Sequence, residues 1–189
     1  ISDVPSNDLM DAIIANWSRN TVRPSNWAAE TETDEPRPGE SSIPALDDVR
    51  NWLYLIDVDL EMETVDQIVS SKHDMVVLDF IPSEANNTDY PMAEVVARLH
   101  NSAHPKLVLA YIDIGQAEDF RAYWLPGWGI GNPEWIVGGD PDGWVGNYPV
   151  AYWHPDWQAI VFEMMDVVLA AGFDGAYLDR VDVYEEFED

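Results

Sequence analysis

Residues 107–124 read LVLAYIDIGQAEDFRAYW. The first six, Leu107-Val108-Leu109-Ala110-Tyr111-Ile112, form an unbroken apolar run. A continuous run with β-branched and aromatic members predicts a strand buried on both faces. The character then changes within one residue to Asp113, Gly115, Gln116, Glu118 and Asp119, and the stretch closes on Arg121, Tyr123 and Trp124. Carboxylates just beyond the C-terminal end of a buried strand stand where parallel α/β folds carry out their chemistry. The spacing after the strand predicts a short helix over residues 117–124.

Working outward, the same pattern recurs. Trp52 to Val58, WLYLIDV, predicts a strand ending in Asp57 and Asp59, and Leu60 to Ser70 a helix. Met75 to Ile81, MVVLDFI, predicts a second buried strand with Asp79 near its end. Pro91 to Ala103 predicts a helix, with proline in its first turn and Val95, Val96 and Leu99 inward. Past the opening stretch lies an aromatic and glycine-rich segment, Pro126 to Pro149, with Trp128, Trp135, Trp144 and Tyr148. Val150 to Trp153 predicts a short strand, and Pro155 to Ala171 a helix closed by Gly172. Phe173 to Leu178 predicts a fifth strand, followed by Asp179, Arg180 and Asp182. Alternating strands and helices imply a parallel sheet. Several strands end in Asp, the pattern of a (β/α)-barrel with its working face at the C-terminal strand ends.

Residues 1–47 read as an acidic tail or linker, and residues 48–189 as the barrel domain. Asp8 to Trp17 predicts a short helix, with Leu9, Ile13 and Ile14 on one side. The segment TETDEPRPGE has no apolar periodicity and is expected to be disordered. The first residue is Ile rather than Met, as in a processed start.

Acidic residues outnumber basic ones 36 to 9, for a net charge of -27. That argues against a nucleic-acid partner held through phosphates. Lys72 and Lys106 are the lysines; the other basic residues are Arg. The acids are spread along the whole chain, which favours adaptation to high salt over a local cationic ligand. There is no Cys, so disulfides and thiolate chemistry are excluded. No apolar run reaches the roughly 18 residues that a membrane span needs. The four histidines, His73, His100, His104 and His154, show no zinc spacing. Asp140-Pro141-Asp142-Gly143 has the start of a calcium loop but lacks the further ligands, and reads as a turn. Neither a metal nor a cofactor is expected.

Asp57, Asp79, Asp113, Glu118, Asp179 and Asp182 are the carboxylates at the strand ends. Converging carboxylates beside Trp and Tyr suggest glycoside hydrolysis, which needs one carboxyl as acid and a second as nucleophile or base. Crowding among like charges raises the pKa of the acid. Aromatic faces give sugars a flat apolar surface. The catalytic candidates are Asp113 or Glu118 on one side and Asp179 on the other. The candidate substrate contacts are Asp57, Asp79, Tyr111, Gln116, Trp124, Trp144, Tyr152, Trp153 and Asp182.

Five motifs in order, WLYLIDV, MVVLDF, LVLAYIDIGQAEDFRAYW, GNYPVAYWHPDW and GFDGAYLDRVDVYEEFED, resemble glycoside hydrolase family 114. The resemblance covers roughly residues 50–189. It implies a TIM barrel and hydrolysis of an α-1,4-linked galactosamine polymer by an acidic pair, without a metal. It also implies a polysaccharide partner; a secreted or cell-surface location is expected separately. Two departures stand out. Family members often read S-x-G-E-A-E where this chain has Asp113-Ile114-Gly115-Gln116-Ala117-Glu118, so an amide replaces a common acid. About five of the eight barrel units can be traced. A fragment, or an open barrel whose edges are covered by the tail or by a second copy, is therefore expected.

Overall fold

The computed structural model describes residues 42–56, 58–81 and 87–187. The expected helix at 8–17, the segment TETDEPRPGE, and Asp57 lie outside the described residues. After a 3-10 turn at Leu46–Asp48 come β1 (Trp52–Leu55), α1 (Met62–Ser70), β2 (Met75–Asp79), α2 (Met92–His100) and β3 (Leu107–Asp113). Next along the chain are β4 (Gln116–Glu118), β5 (Asn147–Pro149), α3 (Pro155–Ala171), β6 (Gly175–Asp179) and a second 3-10 turn, Val183–Phe187.

Four strands form one sheet in the order β1-β2-β3-β6. β1 and β2 run parallel with Trp52 opposite Met75, and β2 and β3 run parallel with Met75 opposite Leu107. Sequential parallel strands joined by helices are the arrangement of a partial TIM-type barrel. β4 and β5 form a separate antiparallel pair.

The described residues fall into two compact units. One holds residues 42–111 and 167–177, the other residues 112–166 and 178–187. In the first unit the two faces of the sheet differ. Val76, Leu78, Val108 and Ala110 are sealed from water. The alternate positions Trp52, Tyr54, Leu107, Leu109 and Tyr177 are only partly buried and pack around Met75, Val77 and Tyr111. This is the period-2 division of a strand. Trp52 stacks on Tyr177 at 6.1 Å, and Tyr54 meets Tyr111 edge-on at 6.2 Å. α1 buries Val65 and Ile68, and α2 buries Met92, Val95, Val96 and Leu99.

Carboxylates also anchor the strand starts. Asp174 Oδ2 accepts from the Val108 N–H at 2.7 Å and contacts His100 Nε2 at 2.9 Å. Asp74 Oδ2 accepts from the Arg50 N–H at 2.9 Å, while its own N–H donates to Asn51 Oδ1 at 2.8 Å. The buried Lys106 ammonium donates to the Ser71 and His104 carbonyls at 2.8 and 2.9 Å. Such charge-assisted bonds satisfy backbone groups that the ladder leaves open.

Two expected elements differ. The helix predicted over residues 117–124 is absent. Asp113 Oδ1 captures the Gly115 and Gln116 N–H groups, and the Tyr123 hydroxyl accepts the Glu118 N–H. These side chains compete with helical bonding. In place of the helix the chain makes a pair of tight turns, with Arg121 N–H bonded to Glu118 O and Trp124 N–H to Arg121 O. The strand predicted over residues 150–153 is displaced to β5. Val150 makes a lone bridge to Ile136, and the His154 N–H turns back on Ala151 O. The parallel sheet of the described residues therefore has four strands.

Candidate functional site

The second unit contains the ends of β3 and β6 together with everything between Ile114 and Asp166. At the end of β3, Asp113 Oδ1 accepts the Gly115 N–H at 2.9 Å and the Gln116 N–H at 2.8 Å. This Asx-type turn reverses the chain into β4, where Gln116, Ala117 and Glu118 face Pro149, Tyr148 and Asn147. The turn needs glycine. A Cβ on Gly115 would lie 2.5 Å from the Arg180 carbonyl oxygen and 2.7 Å from the Val183 Cβ. The peptide between Asp113 and Gly115 is held at both ends. The Ile114 N–H donates to Asp179 O at 3.2 Å, and Ile114 O accepts from the Trp157 indole at 2.9 Å.

Asp113 is buried, and burial pushes its carboxyl well above the usual range. The negative charges of Glu118 and Asp179 raise it further, against the two backbone N–H bonds. Glu118 is buried as well and is clasped by Arg121, Nε to Oε2 at 2.7 Å and a second nitrogen to Oε1 at 3.4 Å. Burial, then the Glu118 charge, push the Tyr123 phenol well above its ordinary value, so it remains a neutral hydroxyl. Asp179 is half-buried, and its Oδ1 accepts the Arg180 N–H at 2.9 Å. Arg180 turns the chain in the left-handed region at φ 54°, a strained conformation for a non-glycine residue. Its guanidinium pairs with Asp142 and Glu186.

Asp113, Glu118 and Asp179, the three catalytic candidates, are thus brought together in one unit. Gln116 joins them through its backbone, and its side chain bonds Asp140 and Asn147. Trp124 stacks on Tyr148 at 5.1 Å, and Trp144 is 72% exposed. Tyr152 is buried and meets the half-buried Trp153 edge-on at 4.9 Å; both pack against Phe187. Asp182 is exposed. Asp79 and Tyr111 are buried in the first unit, Tyr111 within its apolar cluster. Among the described residues no group of three or more His, Cys, Asp or Glu could hold a metal ion.

Local sequence reading missed Asp140, Asn147 and Arg180 as members. Asp140 was legible only as the first residue of a turn. Burial first opposes its ionisation. Hydrogen bonds from the Trp144 N–H, the Gln116 amide and the Asp142 N–H, with the Arg180 charge, outweigh that and hold the carboxyl below its ordinary value.

The chain is 38% identical over 153 residues to an uncharacterized protein of Deinococcus radiodurans, covering 81% of this chain and 47% of that one. It is 38% identical over 137 residues to one of Thermotoga maritima, covering 71% and 39%. The chain therefore spans less than half the length of these relatives. Among solved structures it is similar to Aspergillus fumigatus Ega3 in complex with galactosamine, with a TM-score of 0.51 and 18% identity. That match covers 83% of this chain and 51% of Ega3, and the likeness concerns the fold. Residues 33–189 match the model of glycoside-hydrolase family GH114, and the chain belongs to that family.

Proposed function

We propose that this chain carries the acid and its partner carboxylate of a glycoside hydrolase acting on an amino-sugar polymer of the α-1,4-galactosamine type. The observation that carries the reading is Asp113, a buried carboxyl beside Glu118 and Asp179, its pKa raised well above the usual range by burial and by those two charges. A carboxylic acid whose pKa is raised in this way can give its proton to a glycosidic oxygen as the bond breaks. Asp179, partly open to solvent, is the partner that attacks the anomeric carbon or activates a water. Glu118, fixed by Arg121, adds a charge that, after burial, raises the Asp113 pKa. Galactosamine bound in Ega3 supports the substrate class. A cationic polymer also suits a chain of net charge -27.

The test is release of reducing ends from polygalactosamine by the full-length protein. Asp113→Asn and Asp179→Asn are each expected to lower kcat by about a hundred- to ten-thousand-fold. Unchanged turnover in Asp179→Asn would remove that residue from the mechanism. The resemblance to the family, which implies a Glu where this chain has Gln116, favours a second reading, a carbohydrate-binding protein without turnover, since an amide cannot serve as acid or nucleophile. Saturable binding of the polymer with no product would select it.

A further inference from the structure

Gln116 is 1% exposed, and both ends of its amide are used. Nε2 donates to Asp140 Oδ2 at 2.7 Å, and Oε1 accepts from Asn147 Nδ2 at 3.3 Å. Its backbone N–H donates to Asp113 Oδ1 at 2.8 Å. Asp140 is divided in the same way. Its other oxygen accepts the Trp144 N–H at 2.9 Å, closing a turn whose tip exposes the Trp144 indole. The base of this loop is tied down, since the Asp140 N–H bonds Asn147 O at 3.1 Å and the Asp119 N–H bonds Gly146 O at 2.8 Å. One residue therefore touches the acid with its backbone and the loop carrying Trp144 with its side chain.

The chemistry of the pair explains why an amide stands there. An ionised carboxylate only accepts, whereas an amide both donates and accepts. A Glu at 116 would set a carboxylate oxygen against Asp140 Oδ2 in place of the 2.7 Å bond, with the side chain of residue 116 buried and Asp140 half-buried. Repulsion between the two would favour a proton on one of them. Gln meets Asp140 and Asn147 with no proton at all.

We infer that Gln116 is a positioning residue that locks the Asp140–Trp144 turn to the strand end bearing Asp113, making Trp144 a sugar platform of that same site. The platform rests on the carbohydrate reading above; the Gln116–Asp140 lock does not. The amide is thus the partner that Asp140 requires, rather than a lost acid.

The experiment combines binding and stability in the full-length protein. Calorimetric titration with α-1,4-linked galactosamine oligomers is run on wild type, Trp144→Ala, Asp140→Ala and the double variant. Each single change is expected to weaken binding by about three- to ten-fold. The double variant is expected to be no worse than the weaker single, because both remove one unit. Gln116→Glu is expected to weaken binding to a similar extent, and adding Asp140→Asn to restore it by returning a donor to the pair. An additive cycle, or a pair that does not rescue, would overturn the inference. The second arm is the urea midpoint against pH. Gln116→Glu is expected to lose stability as pH rises and both carboxylates ionise, and Asp140→Asn to abolish that loss. A Gln116→Glu variant with an unchanged pH dependence sinks the lock itself. A wild type that binds no oligomer while the pH arm behaves as expected sinks the carbohydrate reading, and with it the platform.

Discussion

Arg121 holds Glu118 from three residues away, Nε to Oε2 at 2.7 Å, with side chains 8% and 7% exposed. A pair so buried has shed its hydration, and each ion depends on the other. Removing Arg121 takes from Glu118 its two-pronged cationic partner in a buried site. Arg121→Leu is therefore expected to cost about 3–5 kcal/mol of stability at neutral pH. The deficit should shrink in acid, where Glu118 can take up a proton. Urea denaturation across pH checks this, and a loss below about 1 kcal/mol at neutral pH would show a pair that behaves like a solvated one.

Asp113 makes stability depend on pH in an unusual direction. Burial, with the Glu118 and Asp179 charges, raises its folded pKa above the unfolded value. Between the ordinary carboxylate range and that raised value, the folded protein keeps a proton that the unfolded chain has released. Stability contributed at low pH is therefore lost as pH rises through this interval, and is fully lost above the folded value. Asp113→Asn keeps an oxygen for the Gly115 and Gln116 N–H groups but has no proton to lose. The variant is expected to be more stable than wild type at neutral pH, and to be inactive. Parallel curves of denaturation midpoint against pH for the two proteins would contradict this.

Gly115 lets the strand end and the Arg180 turn approach closely. A methyl group on residue 115 would stand 2.5 Å from the Arg180 carbonyl oxygen, so backbone rather than a flexible side chain would have to move. Gly115→Ala is expected to cost at least about 1–3 kcal/mol and to lower kcat by disturbing Asp113 and Asp179 together. A thermal melt with an unchanged midpoint would show that the turn yields freely.

The range of the contacts decides what local sequence could and could not carry. Met75–Asp79 and Leu107–Asp113 were legible because burial on both faces leaves an apolar run. α3 was legible to the residue, since Pro155 and Gly172 mark its ends. Glu118 and Arg121 stand three apart and fit a helix equally well. Their turn is instead decided by β5, about thirty residues downstream, and by the Tyr123 hydroxyl. The same limit hid Asp140 and Asn147, whose bonds to Gln116 span 24 and 31 residues. Composition also could not separate Trp135, which is buried, from Trp144, which is exposed, although both lie in one aromatic segment.

Trp157 supports the site from beneath, and its effect can be separated from that of the exposed loop. Its indole N–H donates to Ile114 O at 2.9 Å, and its ring packs on Trp135 at 5.3 Å and edge-on to Tyr123 at 5.8 Å. The same Ile114 residue gives its N–H to Asp179 O, so it sets the two strand ends, and with them Asp113 and Asp179, in register. Trp157→Phe keeps an aromatic ring but leaves the buried Ile114 carbonyl without that donor, at about 1–3 kcal/mol. If Asp113 and Asp179 react and Trp144 holds the sugar as proposed, it is expected to lower kcat with little change in KM, because the first two shift while the third stays. Trp144→Ala is expected to do the reverse, raising KM at nearly constant kcat. Steady-state kinetics on galactosamine oligomers, with both variants matched for folded fraction, reads the two effects apart. The same pattern in both variants would mean that Trp157 and Trp144 serve one function.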